Sequence, residues 1–294
     1  MKGESMKFKR HPIFTIVMLT FLITYSLMLL IPLAWAVMTS FKDTFDYTNN
    51  ILGLPELKYL TLENYEKAMV ALSPQVGTKI VTFWRLVLNT LLYTFSYATI
   101  PLAGSVIVAY GCARYRSRWG KILYWSTIVI MVIPSIGGLA SSLVVSRMIG
   151  AYDNVLVAAL WNMKPNGTTF LVCYSLFKGI DMAYSEAAKI DGAGNWRIFI
   201  TIILPLAKNI ILAYFVTSLI SYWNDWQTAM IWFPSSPTLS YALFAARGSG
   251  GGNSAAHPVY LFAGSVMIMI PMFILFIFIK DQLIGKISFG GLKG

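Results

Sequence analysis

What constrains this chain most is a set of six long apolar stretches separated by short charged segments. A helix that crosses about 30 Å of hydrocarbon needs roughly 20 predominantly apolar residues. The stretches run from Ile13 to about Met38, Leu86 to Tyr110, Ile122 to Val145, Asn154 to Phe177, Leu204 to Phe233 and Val259 to Ile284. A water-soluble particle could not cover them, because 57% of the 294 residues are apolar and only 12% are charged. Soluble domains have about 45–50% apolar and about 25% charged residues. An aromatic share of 15% also excludes a disordered chain. The expected fold is all-α, a polytopic membrane protein with six transmembrane helices. Its first stretch follows a basic leader over residues 1–12 and exceeds the apolar core of a signal peptide, so it reads as a permanent helix.

Orientation follows from Lys and Arg. With a cytoplasmic N-terminus, the inner segments hold Lys2, Lys7, Lys9, Arg10, Arg114, Arg116, Arg118, Lys121, Lys178, Lys189, Arg197, Lys208, Lys280, Lys286 and Lys293, or 15 of the 23 basic residues. The external loop over 39–85 has five basic and five acidic residues and is neutral. The positive-inside rule therefore predicts a cell-membrane protein with both termini cytoplasmic. The net charge of +11 is then an orientation signal, and no nucleic-acid partner is expected. In the external loop, Thr61 is positioned to cap a short helix over 61–69. The Gly-rich run at 248–253 reads as a mobile loop.

Several chemistries are excluded. The two cysteines, Cys112 and Cys173, lie in or beside apolar runs, and His11 and His257 have no Cys at ligand spacing, so neither a disulfide framework nor a metal site is expected. Gly285-Lys286-Ile287-Ser288 ends like a phosphate loop, but Lys280 stands where the first glycine belongs. The chain offers no catalytic constellation and no cofactor site of its own.

The distinctive segment joins the fourth and fifth stretches. Met182 to Ile190 reads as a short helix, with Gly192 placed for a left-handed cap. A second short helix from Trp196 to Ile203 is expected to close at Pro205. This segment carries Glu186-Ala187-Ala188, Asp191, Gly192, Ile202 and Leu204-Pro205, in the order Glu-Ala-Ala, three residues, Gly, nine residues, Ile, one residue, Leu-Pro. This pattern resembles the EAA loop of permease subunits of ATP-binding-cassette importers. Other matches point to the carbohydrate-uptake branch, similar to the six-helix maltose-importer subunit. They are Ser40-Phe41-Lys42, Leu62-Glu63-Asn64-Tyr65, Asn89-Thr90, Ala109-Tyr110, Arg114-Tyr115, Trp223-Asn224-Asp225 and the tail Gly290-Gly291-Leu292-Lys293-Gly294. The chain departs from the pattern before Glu186, where the usual Pro and acidic run are missing, and at Lys164-Pro165-Asn166-Gly167, which interrupts the fourth stretch.

The resemblance implies a permease domain over 13–294, with an external loop at 39–85, a coupling loop at 179–205 and a cytoplasmic tail at 285–294. It implies a non-enzymatic pore subunit that pairs with a second, homologous permease. Each permease docks through its EAA loop on one of two ATPase subunits, which carry ATP and Mg. An extracytoplasmic solute-binding protein delivers an oligosaccharide. A secondary transporter or channel is the alternative, but it predicts acidic relays and repeats that the chain lacks. An importer of a non-sugar solute is another.

Polar residues inside the apolar stretches are costly and usually face a cavity or a partner helix. Asn162 and Lys164 are expected midway along the fourth helix, and Trp223, Asn224 and Asp225 midway along the fifth. Indole faces stack on sugar C–H faces, and amide or carboxylate oxygens accept sugar hydroxyls. The competing reading makes Asn224 and Asp225 glue between helices. Lys164 is positioned to neutralise an acidic sugar.

Overall fold

The computed structural model describes residues 12–115, 117–133, 137–165, 167–249 and 256–284. The basic leader up to residue 11, most of the Gly-rich run and the tail from 285 onward lie outside the described residues. In chain order the helices are α1 (Pro12–Ser40), α2 (Thr44–Asn49), α3 (Glu63–Ala71), α4 (Phe83–Arg114) and α5 (Arg118–Val132). There follow α6 (Leu139–Met148), α7 (Val155–Trp161), α8 (Gly167–Gly179), α9 (Ala183–Ile190) and α10 (Asn195–Ile198). The remainder are α11 (Leu204–Trp223), α12 (Gln227–Trp232), α13 (Leu239–Phe244) and α14 (Pro258–Ile284). A short antiparallel hairpin, β1 (Gln75–Val76) with β2 (Lys79–Ile80), precedes α4.

Among the described residues, four helices are long and apolar enough to cross a membrane: Ile13–Ser40, Phe83–Arg114, Asn195–Trp223 and Pro258–Lys280. The third and fourth apolar stretches differ from expectation, since each consists of two helices. The third divides into α5, ending at Val132, and α6, starting at Leu139, with Gly137 before α6 at φ +78°. The fourth divides into α7 and α8, with residues 162–165 outside both helices, where Pro165 cannot donate to a helical ladder. The fifth is displaced. It starts at Asn195, passes through a π-helical turn at Phe199–Ile203 and ends at Trp223 instead of Phe233. Pro205 does not close the preceding short helix. It falls in the first turn of α11, directly after the widened turn, and the helix continues through it.

The chain forms two compact units. The first contains 12–71 and the start of α14 up to Met267. Its nucleus is polar. Lys42 is fully buried and donates from Nζ to the carbonyls of Asn50 at 2.5 Å and Gly53 at 2.6 Å. Asn64, also buried, donates to the carbonyls of Ser40 at 2.9 Å and Lys42 at 2.7 Å, while the Ser40 and Tyr65 hydroxyls share a hydrogen bond of 2.8 Å. The motifs Ser40-Phe41-Lys42 and Leu62-Glu63-Asn64-Tyr65 thus bind one another. Thr61 caps α3 as expected, its hydroxyl accepting from the Glu63 amide at 3.1 Å. By contrast, the apolar side chains of α1 are exposed over 13–34, Ile13 at 78% and Met28 at 74% among them.

The second unit contains 72–254 and α14 from Ile268 onward, and is built round α4, against which α5, α7, α8, α11 and α13 pack. Phe170, Cys173 and Phe177, at helical spacing on α8, are completely buried with Leu102, Val106 and Ala109 of α4. Close approach at Gly104 brings α4 against the break between α7 and α8. A Cβ there would stand 2.6 Å from Met163 Cγ and 3.1 Å from its backbone.

Removing Asn64 leaves two buried carbonyls without a donor, each omission worth about 1–3 kcal/mol. Asn64→Ala and Asn64→Asp should therefore loosen the first unit alike, because a carboxylate cannot donate. Limited proteolysis of the 39–71 segment in membranes measures this, and faster cleavage of both variants is expected.

Candidate functional site

The Glu-Ala-Ala segment lies on α9 and its exit. Asp181 Oδ1 accepts from the Ala183 amide at 3.0 Å, which caps the helix start. At the other end Gly192 adopts φ +77°, its amide bonds to the Lys189 carbonyl at 3.0 Å, and the Ala193 amide bonds to the Ala188 carbonyl at 2.9 Å. This pair of bonds is a complete Schellman closure. A Cβ at Gly192 would meet nothing within 4 Å, so the backbone conformation alone requires glycine.

The two faces of α9 differ. Ser185 and Ala188 are buried, and Ala188 joins Ile198, Phe199, Ile203 and Ala207 in the cluster that holds α4 and α8. Glu186, Ala187, Asp191 and Pro205 face outward, with Ile202 and Leu204 half-buried. Ile190 at 87% exposure and Trp196 at 65% stand out from the same segment. The result is a firmly anchored knob that presents two carboxylates, Glu186 and Asp191, together with exposed apolar side chains. Sequence reasoning counted Arg114 as an inner charge and as part of the Arg114-Tyr115 match, and missed its place beside α9. At the end of α4 its Nη1 bonds Met182 Sδ beside α9, and its Nε and Nη2, like Ser185 Oγ, are buried without a protein partner among the described residues.

The polar residues of the fourth and fifth apolar stretches divide into two groups, and none lies mid-helix as expected. Trp223 ends α11 and is buried, donating from Nε1 to the Ile268 carbonyl at 3.1 Å. Asn224 caps that helix and donates to the Ile220 carbonyl at 2.8 Å. Asp225 starts the next turn, its Oδ1 accepting from the Thr228 amide at 3.0 Å and its Oδ2 from the Tyr93 hydroxyl at 2.7 Å. Their bonds are those of helix ends and inter-helix glue. Asn89 and Thr90 continue this seam: Asn89 donates to the Pro237 carbonyl at 3.0 Å, and the Thr90 hydroxyl accepts from the Leu239 amide at 2.8 Å.

Asn162 and Lys164 lie instead in the break between α7 and α8. Asn162 caps α7 and donates to the Ala158 carbonyl at 2.8 Å. Both residues line a cavity of about 530 Å³ with Tyr97, Tyr222, Trp161 and Trp232. Lys164 pairs with no carboxylate among the described residues. An ammonium placed at mid-bilayer costs about 2.5–3.5 kcal/mol on insertion scales, a penalty that water in a cavity relieves.

Comparison with known proteins now decides the class. The family described as binding-protein-dependent transport system inner membrane component matches residues 102–288, well over half of the chain. The chain belongs to that family. It is therefore a multi-pass membrane transport component and not an enzyme, with ATP hydrolysed on a separate subunit. Among its relatives, the melibiose/raffinose/stachyose import permease protein MelC of Bacillus subtilis is 30% identical, over 90% of this chain and 91% of that protein. The maltodextrin transport system permease protein MdxG of the same organism is 27% identical, over 70% and 74%. A solved bacterial ABC transporter involved in import of the acidic polysaccharide alginate shares the fold, with a TM-score of 0.77 and 22% identity over 96% of this permease component and 99% of that chain.

In this permease component the Tyr93–Asp225 bond spans a sequence separation of 132 residues. Tyr93→Phe leaves a carboxylate oxygen unpaired and should reduce stability by about 1–3 kcal/mol. Asp225→Asn retains an acceptor and should lose less. Thermal unfolding in detergent should rank wild type above Asp225→Asn, and Asp225→Asn above Tyr93→Phe.

Proposed function

We propose that this permease component forms one half of the translocation pore of an ATP-driven oligosaccharide importer and receives its stroke through the segment 179–205. The observation that carries the reading is the outward face of α9. Glu186 is presented beside exposed Ile190 and Trp196 on a helix whose other face is locked into the pore-forming core. A capped helix closed by a Schellman turn transmits displacement without bending, as a coupling element must. Glu186, Ala187, Ala188, Asp191 and Gly192 form the contact and corner, and Ile202, Leu204 and Pro205 carry the motion into α11. Arg114 supports the base of that segment.

The sugar assignment draws on the relatives MelC and MdxG, whose names both specify oligosaccharide import. The working assembly is this chain, a second homologous permease, two ATPase subunits that bind ATP and Mg, and an extracytoplasmic solute-binding protein. The chain crosses the bilayer six times with both termini in the cytoplasm, the divided pairs α5/α6 and α7/α8 each making one crossing. The substrate passes Asn162 and Lys164, while Trp223, Asn224 and Asp225 keep the path in shape.

Reconstitution tests this reading. Uptake should require the ATPase, the binding protein and ATP together; uptake driven by an ion gradient through this chain alone overturns it. Glu186→Lys reverses the exposed charge, and Gly192→Pro removes both the positive φ and an amide of the closure. Both variants should insert and assemble but hydrolyse ATP with uptake reduced at least tenfold. Wild-type uptake in both would sink the coupling role.

A further inference from the structure

The cavity at the α7–α8 break offers more than passage, and the proposal made for it rests on the importer reading above. Its depth follows from α4. Tyr97 on its wall, and Ser105, whose hydroxyl lies 3.4 Å from the Lys164 carbonyl, stand about 21 and about 33 Å along a helix about 48 Å long. The cavity therefore lies in the middle of the span. Pro101 deprives the Tyr97 carbonyl of its helical donor at this level. Pro165 lies in the break between α7 and α8 opposite, so that wall contains irregular backbone where it lines a cavity.

The lining has three kinds of chemistry. Trp161, Trp232, Tyr97 and Tyr222 provide aromatic faces that suit sugar C–H surfaces. Ser141, Ser142 and Ser146 of α6 add a row of hydroxyls. Of the thirteen lining residues only Lys164 carries charge, and it is exposed to the cavity without a carboxylate partner among the described residues. Asp225, the nearest acid in sequence to the wall residues Tyr222 and Thr228, has both oxygens engaged by Tyr93 and Thr228. The volume of about 530 Å³ suits a ligand of one or two sugar rings.

We propose that this cavity is a substrate subsite within a single permease subunit, and that it takes a sugar unit bearing a carboxylate, paired with Lys164. The substrate class is therefore a uronate-containing oligosaccharide. Aromatic faces hold the ring, the α6 serines meet its hydroxyls, and the Lys164 ammonium replaces the hydration of the carboxylate at mid-membrane.

The test uses the full transporter in proteoliposomes, with its ATPase and binding protein. It measures uptake of a uronate trisaccharide and of the same trisaccharide with its carboxyls reduced to alcohols. Wild type should take up the uronate at least tenfold faster at low concentration. K164Q should raise KM for the uronate about tenfold more than for the reduced sugar, whereas K164R should keep the preference. Ser142→Asp, which puts an acid on the same wall, should selectively depress uronate uptake and provides the reading if K164Q does not assemble. Equal preference in wild type and K164Q, or a wild type that favours the reduced sugar, overturns the subsite and leaves the importer assignment standing. Failure of any glycan to enter in an ATP- and binding-protein-dependent way overturns the importer reading itself.

Discussion

One helical face organises the second unit: the polar and aromatic positions Asn89, Thr90, Tyr93 and Tyr97 of α4. In hydrocarbon, every backbone group that leaves a helix must find a partner in the protein. The chain after α11 leaves the helix repeatedly, between Trp223 and Gln227 and again between Trp232 and Leu239. Asn89 binds the Pro237 carbonyl, Thr90 receives the Leu239 amide, and Tyr93 receives Asp225 as its partner. Without that face the irregular segment would expose unpaired polar groups, and α12 and α13 would have no fixed position. Tyr93 and Tyr97 make tilted and edge-to-face ring contacts with Tyr222 and Phe233, adding apolar contact to the same seam.

The corner between α9 and α10 depends on a different combination, local closure plus tertiary anchoring. The Schellman bonds at Gly192 determine the angle at which the chain leaves α9, and burial of Ala188 and Ile198 attaches both sides of the corner to one core. Small side chains at 187 and 188 serve two purposes. Ala188 lets α9 sit close to its own core, and Ala187 leaves the outer surface low beside Glu186. The π-helical turn at Phe199–Ile203 solves a backbone problem, accommodating Pro205 so that the helix runs unbroken from the corner into α11.

Much of this architecture was legible because the bilayer imposes length and polarity requirements that local sequence must meet. The spans of α1, α4 and α14, the short helix α9, the cap at Thr61 and the left-handed Gly192 all follow from apolar run length or from one residue's conformational freedom. The errors share one origin. An apolar run reports burial and says little about continuity, so α5 with α6, and α7 with α8, read as single helices. Asp225 looked like an isolated acid deep in a span. It is a helix-start residue satisfied by Tyr93, and no local signal pairs residues 132 positions apart. The reciprocal binding of the Ser40–Lys42 and Asn64–Tyr65 motifs was invisible for the same reason.

By itself, then, the sequence determined the solvent, the class of fold and the glycine-closed corner after α9. Those depend on composition, on runs of roughly 20 residues and on short spacings that survive in any tertiary context. Only the tertiary structure decided which polar residues serve as structure and which remain available. Asn89, Thr90, Trp223 and Asp225 use their hydrogen-bonding capacity on distant backbone and side-chain groups, whereas Lys164 faces a cavity with none of its charge paired among the described residues. The physical reason is that satisfaction of a buried polar group is a property of its neighbours in space, and those are set by packing around α4.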